Sequence, residues 1–166
     1  TGIRPTKIPM KMLEEGKSKN EIALYMEQTY SASKEKIALS MEIAQRELQL
    51  LQRLDVQNGY SLYIGIPFCP STCLYCSFTS YPISKWKQQI DAYLDALEKE
   101  MDAMSQYFAK RHLNTIYIGG GTPTTLEPEQ LERLFAALEQ KFDLSHLMEF
   151  TVEAGRPDSI TREKLK

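Results

Sequence analysis

The sequence predicts an α/β fold, with a helical arm followed by the first half of a partial (β/α) barrel. Three observations predict it. From Ser61 onward, strand-like and helix-like runs alternate, the pattern of repeated β–α units in a parallel sheet. Before that alternation lie two amphipathic helical stretches. Of the 166 residues, 42% are hydrophobic and 25% charged, which excludes wholesale disorder. The predicted boundaries are a helical arm over residues 1–57 and the barrel half over 58–166.

The arm comes first. Ser18 and Glu21 have the S-x-x-E form of a capping box and predict a helix start. Ile22, Tyr25 and Met26 then share one face. A second helix is predicted from about Ser33, where Ile37, Met41, Ala44, Leu48 and Leu51 form a single apolar stripe. Arg4 and Lys7 are candidates for holding an anion, with a solvated arm as the plainer alternative. Asn58-Gly59 is a turn signal.

In the second part, residues 61–66 read as a buried strand. A Cys- and Pro-rich loop follows over about 67–82. A helix is predicted over about 85–109, with Ile90, Leu94, Leu97, Met101, Met104 and Phe108 on its apolar stripe. Residues 115–118 form a second strand that runs into Gly119, Gly120 and Gly121. Pro128 sits in the first turn of the next helix, whose core face is Leu131, Leu134, Phe135, Leu138 and Phe142. Residues 149–153 form a third strand, and residues 159–166 read as the start of another helix. A closed barrel of this type needs more than these roughly three units. The chain is therefore expected to be a fragment of a longer protein, with apolar barrel surface exposed.

Charge and hydropathy exclude some classes of function. The formal charge is −2, so no electrostatic case for nucleic acid exists. No apolar run is long enough for a membrane span. The first residue is Thr1, and no signal-peptide pattern opens the chain. The three cysteines fall within eight positions and are odd in number, a poor disulfide framework. A reduced, cytoplasmic setting and metal chemistry follow as the expectation.

Those cysteines, Cys69, Cys73 and Cys76, have C-x₃-C-x₂-C spacing on a loop at the C-terminal end of a strand. In β–α folds that face carries the active site. Three thiolates can hold three irons of a [4Fe-4S] cluster and leave the fourth iron open. The amino-carboxylate of S-adenosylmethionine fits that opening, and an electron from the cluster could split its sulfonium into a 5′-deoxyadenosyl radical. The alternatives are a structural zinc site, with His112 or His146 as fourth ligand, or three packed thiols. His112 is expected at the exposed end of a helix beside Arg111, which makes it a poor candidate.

The string from Tyr63 to Cys69, the cysteine triplet, Gly119-Gly-Gly-Thr-Pro-Thr124 and Glu153 together resemble the radical S-adenosylmethionine superfamily. Within it they resemble the oxygen-independent coproporphyrinogen III oxidase group. Residues 2–7 and 76–80 are most similar to its coproporphyrinogen dehydrogenase HemZ branch. The resemblance implies that Cys69, Cys73 and Cys76 are the cluster ligands. It implies S-adenosylmethionine contacts from Tyr63, Tyr75, Gly120, Gly121, Thr122 and Glu153. Taken singly, Tyr63 reads as a core aromatic, the glycines as a turn and Glu153 as a solvated strand end. Their shared placement at strand ends around the cysteine loop raises all three.

Two departures qualify the resemblance. Gly65 stands where the better-known oxidase branch has histidine, and Ser77-Phe78 where it has Gly-Cys. The implied activity is oxygen-independent oxidative decarboxylation of coproporphyrinogen III to protoporphyrinogen IX by that radical, in porphyrin and haem biosynthesis. The implied partners are a tetrapyrrole substrate and a reductant such as flavodoxin or ferredoxin. The alternatives are a haem-binding chaperone or another radical tetrapyrrole enzyme with the same cluster site.

Overall fold

The computed structural model describes residues 4–55 and 57–165. Gly2 and Ile3 of the HemZ-like opening string therefore lie outside the described residues, as does Lys166. The chain divides into two units, Thr1–Asp55 and Val56–Lys166.

The first unit holds three helices, α1 (Lys7–Glu14), α2 (Lys19–Tyr30) and α3 (Lys34–Leu51). The capping box is present as expected. The Glu21 amide donates to Ser18 Oγ at 3.3 Å, and the Ser18 amide donates to Glu21 Oε2 at 2.8 Å. Ser33 caps α3 through the Lys36 amide. Ile22, Met26 and Ile37 are buried together, with Ile8, Met12 and Met41 packed on them. Helix α1 was not anticipated from sequence. Thr6 makes no side-chain cap, and Pro9 sits within the first turn, where its missing N–H costs nothing. Gly16, at φ +77°, follows the helix end. Arg4 spends its guanidinium on Glu47 at 3.1 Å, which weakens its candidacy as an anion ligand.

Ser18→Ala removes the cap that holds the Glu21 amide. It is expected to cost about 1 kcal/mol locally, seen as roughly fivefold faster amide exchange at Glu21 and Ile22. The bonds from Ser18 hold the Glu21 carboxyl below its ordinary value of 4.5. The contribution is therefore complete above that value and lost as pH falls through the lowered one.

The second unit is built on a three-stranded parallel sheet in the order β1–β4–β5, from β1 (Gly59–Ile66), β4 (His112–Gly120) and β5 (Glu149–Val152). Two short strands, β2 (Phe68–Cys69) and β3 (Tyr81–Pro82), pair separately. The predicted long helix is divided into α4 (Ile83–Trp86), a 3₁₀ turn (Lys87–Gln89) and α5 (Ile90–Tyr107). The break falls where Trp86 leaves helical backbone, at φ −118°, with its ring against Tyr81. The last helix is α6 (Pro128–Lys141), with Pro128 in its first turn as expected. Residues 163–165 form only a 3₁₀ turn instead of the expected helix start. A single turn does not repay helix nucleation, and the Lys164 ammonium instead donates to the carbonyls of Thr124 and Ser159.

Alternation along the strands assigns the two sheet faces. Ile64 and Ile66 of β1 and Ile116 and Ile118 of β4 are buried with Leu94 and Met101 of α5 and Leu134 and Leu138 of α6. The opposite face carries Ser61, Tyr63, Thr115, Tyr117 and Thr151, in register across the strands. That face is open, with Tyr63 62% and Tyr117 38% exposed. That surface is hydroxyl-rich and aromatic.

Candidate functional site

The cysteine loop leaves the C-terminal end of β1 and is closed at its base. Phe68 and Cys69 pair with Tyr81 and Pro82, and the Tyr81 amide donates to Pro67 O at 2.8 Å. The glycine segment after β4 runs along this base. The Gly121 amide donates to Ile66 O at 2.7 Å and the Thr122 amide to Phe68 O at 2.8 Å. Buried Cys69 lies with its sulfur 3.4 Å from Thr122 Oγ1.

Glycine is required at two of these positions. Gly120 has φ +105°, a conformation that L side chains rarely adopt. A Cβ on Gly121 would fall 2.6 Å from Phe68 O and 2.9 Å from Cys69 Sγ. The glycines thus leave the space beside Cys69 unfilled by side chains.

That space is a cavity of about 380 Å³ lined by Cys69, Cys73, Cys76, Gly120, Gly121, Thr122 and Glu153, with Phe78, Ala154, Gly155 and Arg156. The fold brings these expected residues together because β1, β4 and β5 are parallel and end on the same side. Two expected residues stand outside it. Tyr75 is 90% exposed between Cys73 and Cys76 and does not line the cavity. Tyr63 lies on the open sheet face, its ring stacked on Tyr117 at 5.9 Å and 13°.

Tyr117 was missed from sequence, where it reads as one more strand aromatic. Its hydroxyl donates to Glu153 Oε1 at 2.5 Å, and that bond raises the phenol above its ordinary value of 10.0. The phenol therefore keeps its proton at neutral pH and remains a donor. Tyr63 thus reaches the cavity wall through Tyr117. The signal available beforehand was register, since Tyr117 lies opposite Tyr63 in the sheet. Arg156, just beyond β5, also lines the cavity and grips Asp158, holding that carboxyl below its usual range.

The histidine-completed zinc site does not fit. His112 opens β4 and does not end a helix, and its ring lies 4.2 Å from that of His146. It pairs with Gly59, at the opposite end of β1 from the cysteine loop. Eight residues of strand, at about 3.3 Å each, separate the two ends by roughly 25 Å. Among the described residues, no three His, Cys, Asp or Glu side chains form a ready metal cage. A donor set of three thiols that no histidine completes suits a cluster iron left open better than a closed zinc site. The glycine-walled space beside Cys69 is open, and the three thiols and the Glu153 carboxylate all line it. The residues present therefore fit both groups.

Residues 63–166 match the family model of the radical SAM superfamily, and the chain belongs to that superfamily. Its cofactors are a [4Fe-4S] cluster and S-adenosylmethionine. Among its relatives, the oxygen-independent coproporphyrinogen-III oxidase-like protein HemZ of Bacillus subtilis is 42% identical over 170 residues, covering 99% of this chain and 34% of that protein. The heme chaperone HemW of the same organism is 47% identical over 107 residues, covering 64% of this chain and 27% of that one. The solved structure of coproporphyrinogen III oxidase (HemN) from Escherichia coli, described as a radical SAM enzyme, is 34% identical. It superposes with a TM-score of 0.51 over 66% of this chain and 25% of its own. The chain thus spans about a third or less of the length of these relatives.

Proposed function

We propose that this chain forms the cofactor-holding part of an enzyme of porphyrin and haem biosynthesis. The reaction is oxygen-independent conversion of coproporphyrinogen III to protoporphyrinogen IX. Each of two propionate side chains would give a hydrogen atom to the 5′-deoxyadenosyl radical, lose carbon dioxide and pass one electron to a one-electron acceptor, leaving a vinyl group. The observation that carries the reading is the single cavity ringed by the three cysteines, the Gly120–Thr122 segment and Glu153. The near-complete alignment with a coproporphyrinogen-III oxidase-like relative supports the substrate class.

When bound, the cluster and S-adenosylmethionine supply one-electron chemistry able to remove hydrogen from an unactivated carbon. Cys69, Cys73 and Cys76 hold the cluster as thiolates. The backbone of Gly120 and Gly121 admits the methionine end of S-adenosylmethionine, with Thr122 beside it. Glu153 offers a carboxylate to the same ligand, and Tyr63 backs it through its stacking on Tyr117. Tyr117 fixes the Glu153 carboxylate by donating to one of its oxygens, leaving the other for the ligand. A protein reductant of the flavodoxin or ferredoxin class supplies electrons. Three unpaired cysteines suit the cytoplasm, where thiols stay reduced.

The test uses the protein reconstituted anaerobically with iron and sulfide, then given dithionite, S-adenosylmethionine and coproporphyrinogen III. Protoporphyrinogen IX appearing with 5′-deoxyadenosine in mass spectra is the expected result. Slow 5′-deoxyadenosine formation with the porphyrinogen untouched would overturn the decarboxylase reading and favour the second one, haem delivery. That reading draws on the HemW relative and on Gly65, which replaces the histidine of the oxidase branch.

A smaller prediction concerns Tyr117. Tyr117→Phe keeps the stacked ring and removes only the hydroxyl. We expect S-adenosylmethionine affinity, by calorimetry, to fall about fivefold, the worth of one net hydrogen bond, with little change in melting temperature. Unchanged affinity would show that Glu153 needs no such support.

A further inference from the structure

Arg156 is held more firmly than a residue just beyond a strand end requires. Its guanidinium meets Asp158 at two points, Nε to Oδ1 at 3.1 Å and Nη2 to Oδ2 at 2.8 Å. Its main chain is fixed as well. The Ser159 amide donates to Arg156 O at 3.0 Å, and Ser159 Oγ donates to the same carbonyl at 2.8 Å. The turn between them begins with Pro157, whose φ is restricted by its ring.

So anchored, Arg156 points into the cysteine loop from more than eighty residues away in sequence. Its Nη2 donates to Ser71 Oγ at 3.2 Å and its Nη1 to Ser71 O at 3.4 Å. The same Nη1 lies 3.4 Å from Cys73 Sγ, a normal length for an N–H···S bond. The side chain is only 26% exposed.

We propose that Arg156 is a positioning residue that docks the cysteine loop and donates an N–H to the Cys73 sulfur, easing one-electron reduction of the cluster. The inference rests on the reading of Cys73 as a cluster ligand. Hydrogen bonds to cluster sulfurs, and the net charge beside them, set the potential of an iron–sulfur centre. The added electron makes the cluster and its thiolates more negative. A donor already aimed at one thiolate, on a cation that does not deprotonate, stabilises that state. In the reduction itself an external one-electron reductant, dithionite or a flavodoxin- or ferredoxin-class protein, loses one electron and the cluster gains it. No bond forms or breaks. Asp158 sets the direction of the fork and partly offsets its charge.

The test is the midpoint potential of the reconstituted cluster, followed by electron paramagnetic resonance during a redox titration. Arg156→Gln is expected to lower the potential of whatever fraction loads iron, and Arg156→Lys to fall between it and the parent. Asp158→Asn, which removes the offsetting charge, is expected to raise it. A purely structural role would reduce iron loading and leave the potential of the loaded fraction unchanged, and that result overturns the proposal. Should Arg156→Gln fail to load, Asp158→Asn with an unchanged potential overturns it equally. A Cys73→Ala protein that still binds a full cluster would instead refute the ligand reading on which the proposal rests.

Discussion

Cys73→Ala is expected to yield a colourless protein after anaerobic reconstitution, with iron near background and no 5′-deoxyadenosine on addition of S-adenosylmethionine and reductant. The cluster reading asks each of three thiolates to hold one iron, and two thiolates on this loop leave two irons without a protein ligand. Cys73 is half-buried at the cavity wall, so its loss opens no core void. The melting temperature of the iron-free protein should therefore move little, since substitutions away from the core usually stay within about 0.5 kcal/mol. Visible absorbance, iron analysis and mass spectrometry read the outcome together. Retained cluster absorbance and retained cleavage in this variant would sink the assignment of the triplet.

Gly121→Ala is the second large effect, and it acts through packing. The new methyl would meet Phe68 O at 2.6 Å, Cys69 Sγ at 2.9 Å and Ile66 O at 3.0 Å. Two of these are backbone atoms, and the Gly121 amide is itself bonded to Ile66 O, so the segment cannot retreat without giving up that bond. Overpacking of this kind costs about 3 kcal/mol, or roughly 10 °C in melting temperature for a unit of this size. Calorimetry with S-adenosylmethionine should show binding lost or weakened at least tenfold. Gly155 supplies the control. It lines the same cavity, yet a Cβ there meets nothing within 4 Å, so Gly155→Ala should melt within about 1 °C of the parent. Equal melting temperatures for the two variants would refute the packing argument.

The relation between sequence and structure differs from residue to residue. The cysteine spacing, the glycine run and the alternation of apolar runs are local patterns, and local patterns carry through folding. Ser18, Ser33 and Pro128 mark helix starts for the same reason, since a cap or a first-turn proline acts within about four residues. Helix α1 has no side-chain cap, only the first-turn Pro9, and rests on the buried contacts of Ile8 and Met12 with α2 and α3. Residues 159–166 show the converse. They have a helical look, but Lys164 is drawn away to two carbonyls, one of them forty residues distant in sequence.

By itself the sequence determined the class of protein, the cysteine spacing and the strands around the cavity, because spacing along the chain is all that those features need. Tertiary structure alone decided that Tyr117 supports Glu153 and that Arg156 reaches Cys73. It also decided that His112 lies at the far end of the sheet and that Tyr75 stands outside the cavity. The physical reason is common to all four. Each depends on parallel strands brought into register and on the loops beyond them, so partners 36 or 83 residues apart become neighbours only once the sheet has formed.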